Sequence, residues 1–131
     1  MDDFNDKRAC GFPTETLAIG QGRERVDLSL RRQGRDWILT LGGGDTHVGA
    51  VAVAARESLI DKEPCESLMV VPGHKEGPMA LAAARRLAEA SGQTCVCIAG
   101  IHQDEATTAE IQAIVANAER GLELLIRKHW S

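Results

Sequence analysis

Three short segments hold most of the side chains capable of chemistry, and each carries one of the chain's four histidines. They are Gly42-Gly43-Gly44-Asp45-Thr46-His47-Val48-Gly49, Pro72-Gly73-His74-Lys75-Glu76-Gly77 and Gly100-Ile101-His102-Gln103-Asp104-Glu105-Ala106-Thr107. Each begins with or contains glycine, and each sits where an expected strand ends or begins. Loops held by a sheet collect binding groups in this way. In the first segment, consecutive glycines let backbone N–H groups converge on an anion, or they only bend the chain and permit close strand packing. In the second, His74 and Lys75 suit a phosphate near a helix N-terminus. His74 with Glu76 equally suits a divalent metal, and a solvated polar turn would have the same composition. In the third, His102 and Asp104 fit the same polar site, or Asp104 only satisfies backbone donors at a helix start. Three histidines in equivalent turns favour one shared site over three unrelated ones. A metal, if the site holds one, would draw on His74, Glu76 and His102.

Other chemistries are poorly supplied. The five-residue spacing from Gly44 to Gly49 matches a P-loop, yet Ala50-Val51 stands where Lys-Ser/Thr is required. The run does not match Gly-x-Gly-x-x-Gly either, and it leads into an expected strand. No Gly-x-Ser-x-Gly elbow occurs. Of the four cysteines, Cys10, Cys65, Cys95 and Cys97, only the last two are close. In a strand they share a face, in apolar surroundings that raise a thiol pKa. No zinc-ribbon spacing is present. All four read as reduced thiols in a cytoplasmic protein, and nothing is built for covalent catalysis.

The 131 residues suit one domain, with 44% apolar residues to fill a core. Fifteen Lys and Arg against nineteen Asp and Glu give a net charge of −4, the wrong sign for a phosphate-backbone binder. With two Phe, two Trp and no Tyr, the chain also lacks platforms for stacking bases. Neither nucleic acid nor a membrane is an expected partner, since no window is apolar enough to span a bilayer.

The elements that must position the three segments follow from periodicity. Residues 1–13 read as a mobile leader, and residues 14–131 as a single α+β domain. Strands are expected over Thr16–Ile19, Val26–Arg31 and Trp37–Leu41, the last two joined by a turn at Gln33-Gly34-Arg35-Asp36. Thr46–Ala54 is small or apolar on both faces apart from His47, which predicts an interior strand covered on both sides. Leu68-Met69-Val70-Val71 predicts a buried strand, stopped by Pro72-Gly73. A helix then starts near Pro78 and ends at Gly92. Thr94–Ala99 is another buried strand. Thr107 and Glu110 form a capping box for a last helix, whose stripe of Ile111, Ile114, Val115, Ala118, Leu122, Leu125 and Ile126 should be core. Arg127, Lys128 and His129 close it. Several strands followed by helix, strand and helix predict a mixed, largely antiparallel sheet with two main helices on one face.

The segments at 42–53, 72–76 and 100–111, taken in order, resemble the LpdD-like family of prenylated-flavin chaperones, over roughly residues 16–126. The resemblance implies a fold similar to proteasome assembly chaperones, in a unit that dimerises. It implies a non-enzymatic accessory protein that binds prenylated FMN and delivers it to, or matures, a UbiD-type decarboxylase. Such a ligand is a dianionic phosphate on a large apolar ring system, so a carrier needs an anion site and an apolar wall. The candidate contacts are Gly42, Gly43, Gly44, Asp45, His47, His74, Lys75, Glu76, His102 and Asp104. With so few aromatics, the ring would lie on aliphatic side chains or on a second subunit. A small metal-dependent enzyme with a histidine and carboxylate site, or a chaperone that touches only protein, are the alternatives.

Overall fold

A computed structural model describes residues 14–130, so the leader expected over 1–13, with Cys10, lies outside the described residues. Strand β1 (Glu15–Ile19) leads through a single 3-10 turn to β2 (Val26–Gln33) and β3 (Asp36–Gly44). Then come β4 (Ala50–Ala55), β5 (Cys65–Val70), helix α1 (Gly77–Ser91), β6 (Cys95–His102) and helix α2 (Thr108–Trp130). The six strands form one sheet in the order β1-β2-β3-β6-β4-β5. Only β3 and β6 run parallel, with Trp37 opposite Cys95 and Gly44 opposite His102. The fold is therefore α+β, with a mixed and largely antiparallel sheet, as the order of patterns predicts.

One face of the sheet carries the core. Leu28, Leu30, Leu39, Cys95, Cys97 and the alanines Ala50 and Ala52 are essentially inaccessible. Alternation puts them all on the side that α1 and α2 cover. Small residues meet small residues here: α1 lays Ala80, Ala83, Ala84 and Ala88 onto the sheet, so the layers approach closely. Burial pushes the Cys95 thiol up to about 11 and Cys97 to about 12, which makes both packing groups. Helix α1 begins with proline in its first turn and ends at Gly92, in the left-handed conformation at φ 72°. The expected capping box of α2 forms, with Thr107 N–H donating to Glu110 Oε1 (2.9 Å) and Glu110 N–H to Thr107 Oγ1 (3.1 Å).

Several expectations are corrected. Gly42, Gly43 and Gly44 do not follow β3 but complete it, and the strand expected from Thr46 begins only at Ala50. That strand is covered on one side alone. Val51 and Val53 face away from the helices, and Val53 is 38% exposed. Strand β5 is not buried: it forms the sheet edge beside β4, and Met69 is 63% exposed. On α2, Ile114, Ala118, Leu122 and Leu125 are buried as expected, but Ile111 is 51% and Val115 37% exposed. Both residues line a cavity together with Met79 and Ile101. No helix among the described residues is long and apolar enough to cross a membrane.

Candidate functional site

The three histidine-bearing segments lie at one end of the sheet because the β3–β6 pairing is parallel. Gly44 and His102 are register partners, and both strands release their following loops in the same direction. The loop after β3 then turns across β6. Asp45 N–H donates to the His102 carbonyl (2.9 Å), His47 N–H to Gly100 (3.3 Å) and Gly49 N–H to Ala99 (2.9 Å). Val71 N–H in turn donates to the Gly49 carbonyl (2.8 Å), which ties the start of the His74 turn to the same loop.

This crossing explains the glycines. A Cβ on Gly100 would overlap the His47 carbonyl, and one on Gly44 would overlap the carbonyl of His102. Gly44 also has a φ of 58°, the left-handed region where glycine carries no steric cost. The N–H groups of Asp45, Thr46 and His47 all donate to backbone carbonyls, so that stretch presents no cradle of free amides to an anion. Of the two readings open for the run, bending and close packing describe this geometry.

Glu76 is the centre of the site. It is 9% exposed, at the N-terminal cap of α1, and accepts hydrogen bonds from Lys75 N–H at Oε1 and Ile101 N–H at Oε2, both 3.1 Å. Gly49 makes room for it, since a Cβ there would stand 2.5 Å from Oε1. His47 Nε2 approaches Oε2 at 3.1 Å, and His74 Nδ1 lies 3.7 Å from Oε1. The two rings also meet, His47 Nε2 to His74 Nδ1 being 3.0 Å. His47 Nδ1 sits 2.9 Å from the Asp45 carbonyl oxygen. Asp45 thus contributes its backbone.

His102 is not in this cluster. Its Nε2 pairs with Asp104 Oδ1 at 2.9 Å, and its side chain is 54% exposed. The Asp104 carboxylate therefore faces His102, and the capping role suggested for it belongs to Thr107. Of the residues expected for a metal, His74, Glu76 and His102, the first two lie with His47 in a group whose donor atoms are within 4.8 Å of one another, and His102 lies outside it. Spacing alone cannot show that the loop after β3 folds back over β6. The glycines at 44 and 100, each set against backbone of the other segment, are the sequence signal of that crossing.

Two cavities adjoin His47. One, of about 370 Å³, is lined by His47, His74, Lys75, Glu76 and His102 on its polar side. Met79, Ile101, Ile111, Ile114 and Val115 line its apolar side. The exposed part of the α2 stripe is thus a cavity wall, which periodicity alone assigns to the core. The other, of about 580 Å³, lies on the open sheet face between β1 and Thr46-His47-Val48, with Arg25, Thr40 and Gly42 in its lining. Neither is lined by Phe or Trp. Trp37 and Trp130 stack edge-on at the opposite end of the sheet, centroids 5.1 Å apart. The fourth histidine, His129, is at that end too, 2.6 Å from Glu15 Oε1.

Comparison with known proteins bears on the family and the fold. A family model described as the prenylated flavin chaperone LpdD-like domain matches residues 20–129. No curated protein sequence matches. Among solved structures, one from a chaperone complex for yeast 20S proteasome assembly is similar, with a TM-score of 0.62 and 14% identity. The match spans 86% of this chain and 94% of that one. At that identity the similarity concerns the fold.

Proposed function

We propose that this chain, which belongs to the prenylated flavin chaperone LpdD-like family, holds prenylated FMN in the cavity beneath α2 and passes it to a UbiD-type decarboxylase. The carrying observation is the exposed aliphatic wall of Ile111 and Val115 in the same cavity as Lys75, His74 and His102. Apolar ring and dianionic phosphate need those two surfaces side by side, and the aliphatic wall supplies ring contact without aromatics. Lys75, exposed on the rim, supplies the cation, and the role is binding without catalysis. Free Cys65, Cys95 and Cys97 support a reducing compartment, the cytoplasm.

Anaerobic titration with prenylated FMN, followed by flavin absorbance, tests this. Lys75→Ala is expected to weaken binding roughly 10- to 150-fold, the worth of a charge-assisted bond of about 1.5–3 kcal/mol. Added salt should weaken the wild type more than the variant. Ile111→Glu should weaken binding by removing the wall. Wild-type affinity in both variants would place the ligand elsewhere, and absence of flavin binding by the wild type would overturn the reading. Transfer is read as activity gained by the decarboxylase apoenzyme when the loaded carrier is added.

The same proposal includes a homodimer. The alanines of α1 are turned onto the sheet, so the contact surface is the sheet face opposite the helices. Ile38, Val51, Val53, Met69, Val96 and Ile98 share it by register. A continuous apolar face of this kind suits a self-complementary two-fold contact with a second copy. Light scattering should give about twice the 14.1 kDa chain mass, and Val53→Glu should give the monomer. A monomeric wild type at micromolar concentration would remove the dimer.

A further inference from the structure

The cluster of His47, His74 and Glu76 brings two imidazole nitrogens and a carboxylate together around one point. The Asp45 carbonyl can only accept, so the His47 ring carries its hydrogen on Nδ1, 2.9 Å away. Neutral His47 therefore presents a lone pair at Nε2, and this faces His74 Nδ1 at 3.0 Å and Glu76 Oε2 at 3.1 Å. A hydrogen on His74 Nδ1 would satisfy the contact between the rings and leave the His47 lone pair against the carboxylate. A hydrogen on His47 Nε2 would pair with Glu76 and leave the His74 Nδ1 lone pair without a donor of its own. One cation would be shared by all three residues, whose donor atoms lie within 4.8 Å of one another.

We propose that His47 Nε2, His74 Nδ1 and a carboxylate oxygen of Glu76 bind a divalent first-row transition ion of the Zn²⁺ class, with its remaining position open to the cavity beneath α2. Ligand atoms about 2.0–2.1 Å from a tetrahedral ion lie roughly 3.3–3.4 Å apart. The two ring nitrogens are 3.0 Å apart, His47 Nε2 is 3.1 Å from Glu76 Oε2 and His74 Nδ1 is 3.7 Å from Glu76 Oε1, so either oxygen is near that spacing from one of the rings. Two imidazoles and one carboxylate with a vacant fourth position is the donor set of open zinc sites.

The surroundings have the form that metal ligands require. A ligating histidine donates its other ring N–H to a carbonyl or carboxylate, which fixes tautomer and ring orientation. His47 does so to Asp45. A ligating carboxylate is itself held by donors, and Glu76 accepts from the N–H groups of Lys75 and Ile101. The ligands come from two loops pinned to one another through Gly49 and Val71. The site is therefore assembled before an ion arrives. This inference does not rest on flavin binding, and its assay contains no flavin.

The test is a titration of the flavin-free, metal-stripped chain with Zn²⁺ by calorimetry and with Co²⁺ by visible absorption. One ion per chain is expected, with the intense visible bands of four-coordinate Co²⁺. His74→Ala and Glu76→Gln should each weaken binding at least 10-fold, the lower end for loss of a positioning partner of a metal ligand. Circular dichroism checks that each variant is folded, and His47→Gln provides a third measure where the others disturb the fold. His102→Ala should leave the affinity within about 2-fold. The proposal fails if the wild type takes up no ion, if the ion gives only octahedral Co²⁺ bands, or if His102→Ala removes binding while His74→Ala retains it. The last result would place the ion on the His102–Asp104 pair.

Discussion

Leu122→Ala is expected to destabilise the chain by about 2–5 kcal/mol, the range for truncating a buried aliphatic side chain. Leu122 is 4% exposed on the face of α2 that packs against β1, β2 and α1. The helix comes unusually close to the sheet next to it. A Cβ on Gly121 would stand 2.5 Å from Leu28 Cδ1. A mid-helix glycine costs about 1 kcal/mol relative to alanine, so the close approach must return more than that in packing. With the backbone already near the strands, the neighbours of Leu122 have little room to collapse into the space that truncation leaves. The loss should therefore fall in the upper half of the range. Urea denaturation with an unchanged m-value measures it. A change below about half a kcal/mol would show that this part of α2 is not core. Val115→Ala, on the exposed part of the same stripe, should cost well under 1 kcal/mol and serves as the comparison.

The contrast between Leu122 and Val115 shows where the sequence is legible and where it is not. Periodicity and the Thr107–Glu110 capping box are local, and they locate α2 within a residue or two. They define an apolar stripe, but not how far the sheet beneath it extends. Ile111 and Val115 have the same spacing as Leu122, yet they line a cavity. The run Leu68-Met69-Val70-Val71 has the composition of a buried strand, yet whether a strand has a neighbour on each side is a property of strand order. Here β5 has one. Strand β4 is similar. Alanine and valine on both faces suggest cover on both sides, whereas small size on the helix face serves close packing and the valines of the other face lie open. The parallel β3–β6 pairing has no local signal, because its partners are more than fifty residues apart. It is that pairing which brings Gly44 and His102 side by side and lets the loop with His47 reach Glu76. The three polar turns come to one end of the sheet. Which of their side chains meet is not legible, because spacing does not separate His47 from His102 as the neighbour of His74.

Gly100→Ala should be the most damaging single change at the site, although Gly100 bears no functional group. The loop carrying His47 crosses β6 at this residue, with its N–H bonded to the Gly100 carbonyl and its own carbonyl where a Cβ would have to be. The obstructing atoms belong to backbone, so no rotamer change relieves the overlap. Either β6 shifts within the sheet or the loop lifts. Overpacking of this kind costs typically 1–3 kcal/mol and more where backbone must move. Lifting is the smaller rearrangement, because it breaks the His47-to-Gly100 bond and its neighbours while leaving the β3–β6 ladder in place. It carries His47 away from Glu76 and His74, so the folded variant should also lose the contact between the two imidazoles. Gly34→Ala separates the steric effect from a general intolerance of alanine. Gly34 has a φ of 61°, and a Cβ there would meet nothing within 4 Å, so its cost is conformational strain alone, roughly 1–2 kcal/mol. Urea midpoints compare the two, and the nitrogen chemical shifts of the His47 and His74 rings report whether they still face each other. A Gly100→Ala protein as stable as the wild type, with unchanged ring shifts, would mean that the loop does not cross β6 here. The positions of His47, Glu76 and the cavity wall would then have to be rebuilt around another path for residues 45–49.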